Sequence, residues 1–258
     1  YECETMAQIL PTLFTFALCA ILLYWLQRWI TQHLQGIGIL LFNNSDYGMT
    51  LLWLVLLPGI LLHEASHWIT ARLLGLKTGK FRFTPSTSKG QIVLGSVEVQ
   101  RSNAFKDSLV GLAPFLAGTL ALLVIGYAIF DVGEMGRAWE NNAWQRMADL
   151  LAGTLRVNDA WLWLYLVFAI SNAMMPSPSD RESWRLVLIY VGAVVVVLLI
   201  FGWLPTPSDA LVQQLDAGLR LLTWAFGFAL VIDAVLALAL VLFELAASAL
   251  LRRKINYS

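Results

Sequence analysis

This sequence contains few charged residues and few cysteines. Only 13% of the 258 residues are Asp, Glu, Lys or Arg, and the formal net charge is zero. Because a nucleic-acid-binding protein needs a concentrated basic face, this composition excludes nucleic acid as a partner. The two cysteines, Cys3 and Cys19, do not form a CxxC pair. The sequence therefore predicts neither a disulfide framework nor a cysteine zinc ribbon.

Apolar residues are abundant instead: hydrophobic residues make up 59% of the chain, and the mean hydropathy is +0.69. Such values are typical of proteins in a bilayer, where a spanning helix needs about 20 mostly apolar residues. We predict an all-α, polytopic membrane protein with about six transmembrane helices in a single integral-membrane domain over residues 1–258. The predicted spans cover residues 8–30, 49–75, 107–130, 159–177, 184–204 and 218–250.

The basic residues predict an orientation. Their densest cluster lies between the second and third predicted spans and consists of Arg72, Lys77, Lys80, Arg82, Lys89, Arg101 and Lys106. By the positive-inside rule this loop is cytoplasmic. Alternation then puts residues 131–158 and 205–217 outside and the basic tail, residues 251–258, inside. We expect an integral protein of a prokaryotic plasma (inner) membrane with both termini cytoplasmic.

Three ionisable residues interrupt the second predicted span, in the stretch LLHEASHWITARLLG. His63 and His67 are four residues apart, so both imidazoles lie on one helical face and can bind one zinc ion. Glu64 beside them can reach metal-bound water as a general base, the arrangement of HExxH metalloproteases. The alternative is a set of polar residues that only form hydrogen bonds within a helical bundle. Charged groups at membrane depth each cost roughly 3 kcal/mol, which disfavours that alternative.

A zinc enzyme usually has three protein ligands, so a further residue must reach the histidine pair. The fourth predicted span leads inward to SNAMMPSPSDRESW, which places Asp180 on the same side of the membrane as the pair. Pro176 and Pro178 break the helix there. A broken helix is tolerated at membrane depth only where its backbone lines a protein cavity. Asp180 is therefore well placed to complete the site.

Two motifs carry a resemblance to a known family: His63-Glu64-x-x-His67 in the second span and Asn172…Pro176…Asp180 in and after the fourth. The chain resembles the site-2 protease family of intramembrane zinc metalloproteases. In that family the later motif is Asn-x-x-Pro-x-x-x-x-Asp-Gly, and its Asp is the third zinc ligand. Two features depart from the pattern. The first proline comes one position late, and Arg181 stands where the family has Gly.

The resemblance implies a metalloprotease-like core over about residues 49–185. It implies one Zn²⁺ per chain, held by His63, His67 and Asp180, with Glu64 as the catalytic base. The reaction would be hydrolysis of peptide bonds in or near transmembrane segments of membrane-protein substrates, within the lipid bilayer. The alternating loop GKFRFTPSTSKGQIVLGSVEVQ predicts two or more short strands, which the family places beside the active site.

Several residue assignments stay open. Asn172 is predicted to donate a hydrogen bond to the substrate or the developing oxyanion, or else to cap the helix beside the prolines. Arg181 is either solvated charge or a partner that holds Asp180 in place. Asp233, in the middle of the last span, is a functional candidate or a satisfied structural carboxyl. Glu244 is a competing third ligand, whereas His33 is expected on the external side.

A second class of function competes with the enzyme. The chain could be a protease-like, non-catalytic subunit or assembly factor of a larger membrane complex, with other membrane subunits as partners. The intact Glu64 disfavours this alternative, and the altered proline and glycine positions favour it. A metal carrier is a third interpretation, but a carrier would distribute polar groups along several spans, and here they cluster at one depth.

Overall fold

The computed structural model describes residues 2–82, 84–88, 91–182, 184–202 and 208–253. Its helices are α1 (Glu2–Phe42), α2 (Ser45–Leu73), α3 (Ala104–Ala128), α4 (Val132–Glu140), α5 (Trp144–Thr154), α6 (Ala160–Ala173), α7 (Pro178–Arg181), α8 (Trp184–Ile200) and α9 (Asp209–Leu251). Its strands are β1 (Thr78–Arg82), β2 (Ser86–Ser88), β3 (Gln91–Val93) and β4 (Ser96–Val99). The ends of the predicted fifth span and of the basic tail, residues 203–204 and 254–258, lie outside the described residues.

Four helices of the described chain are long and apolar enough to cross a membrane, which supports the prediction of an integral membrane protein. They are α2, α3, α9 and residues Ile9–Phe42 of α1. The other two predicted spans correspond to α6, with 14 residues, and α8, with 17. At 1.5 Å per residue these helices extend about 21 Å and about 26 Å, against a hydrocarbon core of about 30 Å. Six full spans are therefore not confirmed.

The break that shortens α6 is the one that the prolines predict. The helix ends at Ala173, and α7 begins at Pro178 after a short non-helical segment. A proline lacks a backbone N–H and clashes with the carbonyl four residues earlier, so Pro176 and Pro178 favour an end of α6 before them. Pro178 occupies the start of α7, where a missing N–H costs nothing.

Helices α1 and α9 lie side by side. The rings of Phe16 and Phe226 are 5.5 Å apart, and His33 Nδ1 lies 2.6 Å from Glu244 Oε2. Because both residue numbers rise from one pair to the next, the two helices run in the same direction. Strict alternation of six spans predicts opposite directions, so the placement of both termini on one side finds no support here. Glu244 contacts His33, which excludes it as the competing ligand of the histidine pair.

The loop between α2 and α3 contains the predicted strands. Strand β1 pairs antiparallel with β4, and β2 pairs antiparallel with β3. Phe83, Lys89 and Gly90 of this loop lie outside the described residues. The β1 and β4 pair packs against α2, so the loop is held beside the helix that carries the histidines.

Helices α2 and α6 touch through their backbones. A Cβ atom built on Gly59 would lie 1.9 Å from the Ala169 carbonyl oxygen. Only glycine permits so close an approach. The approach places the end of α6 beside His63. The surrounding core includes these buried apolar residues of α1, α2, α3, α6 and α9: Leu23, Ile30, Leu52, Leu56, Leu122, Ile125, Val167, Phe168 and Phe226.

Replacing Gly59 tests whether this contact sets the helix spacing. We expect Gly59→Ala to force α2 and α6 apart and to destabilise the protein by about 1–3 kcal/mol, as overpacking does. The matched control is Gly227→Ala in α9, because an added Cβ there meets nothing within 4 Å. Thermal unfolding in detergent measures both variants. A Tm of Gly59→Ala equal to that of the control would contradict the close contact.

Candidate metal centre

The two histidines of α2 are oriented by backbone carbonyls from two other helices. His63 Nδ1 lies 2.7 Å from the Ala173 oxygen at the end of α6, and His67 Nδ1 lies 2.8 Å from the Val110 oxygen in α3. A carbonyl oxygen only accepts hydrogen bonds, so each Nδ1 carries the proton. Each Nε2 is then left with a lone pair, which is the form of histidine that binds metals.

Asp180 closes the group. The two Nε2 atoms are 3.2 Å apart. The Asp180 carboxylate lies 3.3 Å from Nε2 of His67 through Oδ1 and 3.6 Å from Nε2 of His63 through Oδ2. Ligands bound to one tetrahedral zinc ion at about 2.0–2.1 Å are separated by about 3.3 Å. The three predicted ligands can therefore hold one metal ion, and within the described chain they are the group that could do so.

The chemistry of this donor set also favours a cation. Two nitrogen lone pairs and a carboxylate that converge within 4.8 Å repel one another. All three side chains are largely buried, so solvent screens this repulsion little. A positive ion between them satisfies all three groups at once.

A capping box at the start of α7 positions the carboxylate. Ser177 donates to Asp180 Oδ2 from its backbone N–H at 2.7 Å and from its hydroxyl at 2.6 Å. Burial raises the pKa of the Asp180 carboxyl, whereas the hydrogen bonds from Ser177 lower that pKa and favour the carboxylate form. Ser177 was not predicted from the sequence, although Ser-x-x-Asp is a capping-box pattern.

The backbone around Asp180 is tightly confined. A Cβ atom built on Gly111 of α3 would lie 2.3 Å from the Asp180 carbonyl oxygen, so α3 and α7 approach closely only because residue 111 is glycine. Arg181 does not hold Asp180. It is exposed, and its Nε donates to the Ser177 carbonyl at 3.4 Å. Glu182 is also exposed and pairs with Arg101 at 3.1 Å.

Glu64 lies next to the ligand group without belonging to it. Its side chain is buried between α2 and the segment that leads into β4. A Cβ atom built on Gly95 would lie 2.9 Å from Glu64 Cγ, and Gly95 and Val97 line the same cavity as Glu64. The β-structured loop therefore covers Glu64 and shields it from bulk water, which is consistent with its predicted role as a general base.

The Asn172 side chain is engaged within α6. Its Nδ2 donates to the Phe168 carbonyl at 2.9 Å, and its buried Oδ1 has no partner within the described chain. The residue is 2% exposed but borders the same cavity as the ligands. Its predicted role toward the substrate or the oxyanion stays a prediction.

A cavity of about 640 Å³ opens onto the ligands and Glu64. Its far wall is a polar stripe of α1 formed by Gln27, Thr31 and Gln35, each four residues after the last, with Arg28 and Gln32 beside them. The sequence analysis ended the first span at residue 30 and missed this wall. The signal was present, because amide and hydroxyl side chains at helical spacing are unusual in a spanning segment.

No family model, no curated protein and no solved structure matches this chain. The chemistry of this chain is therefore inferred from the geometry of the candidate metal centre and from the two sequence motifs.

Metal content tests the ligand set directly. We expect detergent-purified wild type to hold one zinc ion per chain by elemental analysis, and His67→Ala and Asp180→Ala to lose it. Loss of a residue that only hydrogen-bonds to a ligand weakens metal binding by roughly 10–100-fold, and we expect the loss of a ligand itself to weaken it more. His33→Ala is the matched control, since His33 pairs with Glu244 and not with the ligand group. Full zinc retention in both ligand variants would rule out the assigned site.

Proposed function

We propose that this chain is an intramembrane zinc metalloprotease similar to the site-2 protease family, which hydrolyses peptide bonds in or near transmembrane segments of membrane proteins. One observation carries the proposal: His63, His67 and Asp180 converge at tetrahedral spacing, with Glu64 beside them, in a cavity between apolar helices. That arrangement combines three metal ligands with a base that is not itself a ligand.

The residues divide the reaction between them. A zinc ion bound at this centre supplies Lewis-acid chemistry, because it polarises a carbonyl and lowers the pKa of water. Glu64 accepts a proton from the water that attacks the peptide carbon and donates it to the nitrogen as the C–N bond breaks. His63, His67 and Asp180 keep their positions throughout, since backbone carbonyls and the capping box hold them.

The polar wall of α1 supports a peptide as the substrate. Gln27, Thr31 and Gln35 offer amide and hydroxyl groups that match the N–H and C=O groups of an unwound main chain. A helical substrate hides these groups in its own hydrogen bonds, and a hydrocarbon has none. We therefore propose that the substrate segment loses its helical structure before it is cleaved.

The departures from the family pattern leave the ligands in place. The Ser177–Asp180 capping box forms with Pro178 at its first helical position, and Arg181 stays exposed. This favours the enzyme over a non-catalytic subunit of a larger complex.

We further propose that the protein lies in a prokaryotic plasma membrane. Substrates reach the centre from the cytoplasmic side, where the basic loop between α2 and α3 lies.

Glu64→Gln separates catalysis from metal binding. We expect this variant to keep its zinc and to lose about 10²–10⁴-fold in kcat, the usual contribution of a general base. The assay follows cleavage of a pool of fluorogenic single-span peptides in detergent, with 1,10-phenanthroline as a check on metal dependence. Zinc-loaded wild type that cleaves none of the pool and purifies with fixed membrane partners would support the non-catalytic subunit instead.

The α1 wall has its own test. We expect Thr31→Val to lower kcat/KM about twofold to tenfold, the worth of one hydrogen bond of about 0.5–1.5 kcal/mol, with zinc content unchanged. Thr15→Val is the matched control, since Thr15 lies on the same helix, is exposed, and does not line the cavity. Equal kcat/KM for the two variants would argue against a substrate-binding role for the wall.

A further inference from the structure

Helix α9 buries a carboxyl group that the proposed mechanism does not use. Asp233 is 0% exposed and lies in a strongly apolar stretch. The Ser171 hydroxyl is 3.0 Å from each of its two carboxyl oxygens. No lysine, arginine or histidine is paired with Asp233 in the described part of the chain. A carboxyl group in this environment is costly and is retained where it has a role.

Ser171, the partner of Asp233, lies in the last turn of α6. Within that turn the Asn172 amide donates to the Phe168 carbonyl at 2.9 Å and to the Ser171 oxygen at 3.3 Å. The Ser171 hydroxyl shares its single proton between the Phe168 carbonyl at 2.9 Å and Asp233. The network therefore cross-links one end of α6 and ties it to α9.

The same turn presents two carbonyls to the metal cavity. The Asn172 carbonyl accepts from Gln27 Nε2 at 2.8 Å, and the Ala173 carbonyl accepts from His63 Nδ1 at 2.7 Å. The last carbonyls of a helix have no partner within it, so their direction depends on how the final turn is held. The residue that holds this turn also sets where the His63 acceptor points.

We propose that Asp233 is a positioning residue of the metal centre. By bonding Ser171, whose oxygen accepts from the Asn172 amide, it fixes the end of α6. This directs the Ala173 carbonyl at His63 and aims His63 Nε2 toward the Asp180 side of the group. The inference rests on the proposed zinc site. A positioning role differs from a merely structural one in a measurable way. Removal of Asp233 lowers metal affinity more than does another substitution in α9 that destabilises the protein to the same extent.

The test compares four variants of the full-length chain in detergent. Asp233→Leu and Ser171→Ala remove the link, and Asp233→Asn keeps an acceptor for the serine hydroxyl. Ile232→Ala is the matched control, because Ile232 is the adjacent buried residue of α9 and belongs to the apolar core. Zinc affinity is measured by competition with a chromophoric chelator. The visible spectrum of the cobalt(II) form reports the ligand geometry, and thermal unfolding reports stability.

We expect Asp233→Leu and Ser171→Ala to bind zinc about 10–100-fold more weakly, the usual cost of losing an outer partner, and to change the cobalt spectrum. Asp233→Asn should stay within about threefold of wild type, because its side chain still accepts the Ser171 bond. Ile232→Ala should lower the Tm and leave affinity and spectrum unchanged.

Wild-type affinity and spectrum in Ser171→Ala, or in a folded Asp233→Leu, would overturn the positioning role while leaving the zinc site intact. An equal loss of affinity in Ile232→Ala would show that stability alone explains the effect. If wild type binds neither zinc nor cobalt, both the proposed function and this inference fail. The milder Ser171→Ala keeps the test decisive if Asp233→Leu does not fold.

Discussion

The candidate metal centre depends on two hydrogen bonds from imidazole nitrogens to main-chain carbonyls. Ala173 and Val110 accept from Nδ1 of His63 and His67, and this leaves both Nε2 atoms facing one point. In an apolar bundle these carbonyls also offset part of the cost of burying two polar rings. The positions of α3 and α6 relative to α2 follow from this requirement, since each must bring one carbonyl to the histidine helix.

Close helix contacts make those bonds possible. In a bilayer, helices associate through packing of small residues, because lipid tails are as apolar as the side chains they would replace. Gly59 lets α2 reach α6, and Gly111 lets α3 reach the Asp180 segment. The break after Ala173 completes the arrangement, because the chain turns back into α7 and the Ser177 capping box delivers Asp180 to the histidine pair. Packing and chemistry therefore depend on the same few backbone approaches.

Local patterns made much of this architecture predictable. Long apolar runs indicated the spanning helices, and the four-residue spacing of the histidines indicated a shared face. Proline chemistry predicted the end of α6, and alternation predicted strands between α2 and α3. Asp180 was also predictable, because helix direction limits which polar residues can reach a given depth. All of these follow from neighbours in the chain or from the length of a span.

The remaining features depend on which helix faces meet. Three of them join residues far apart in the chain: the parallel pairing of α1 with α9, the His33 contact with Glu244 and the Asp233 link to Ser171. The sequence by itself determined a membrane protein with a histidine pair, a neighbouring glutamate and a broken helix. Only the tertiary structure decided what surrounds them, because most faces of a spanning helix are apolar and composition does not mark which of these faces packs against another helix.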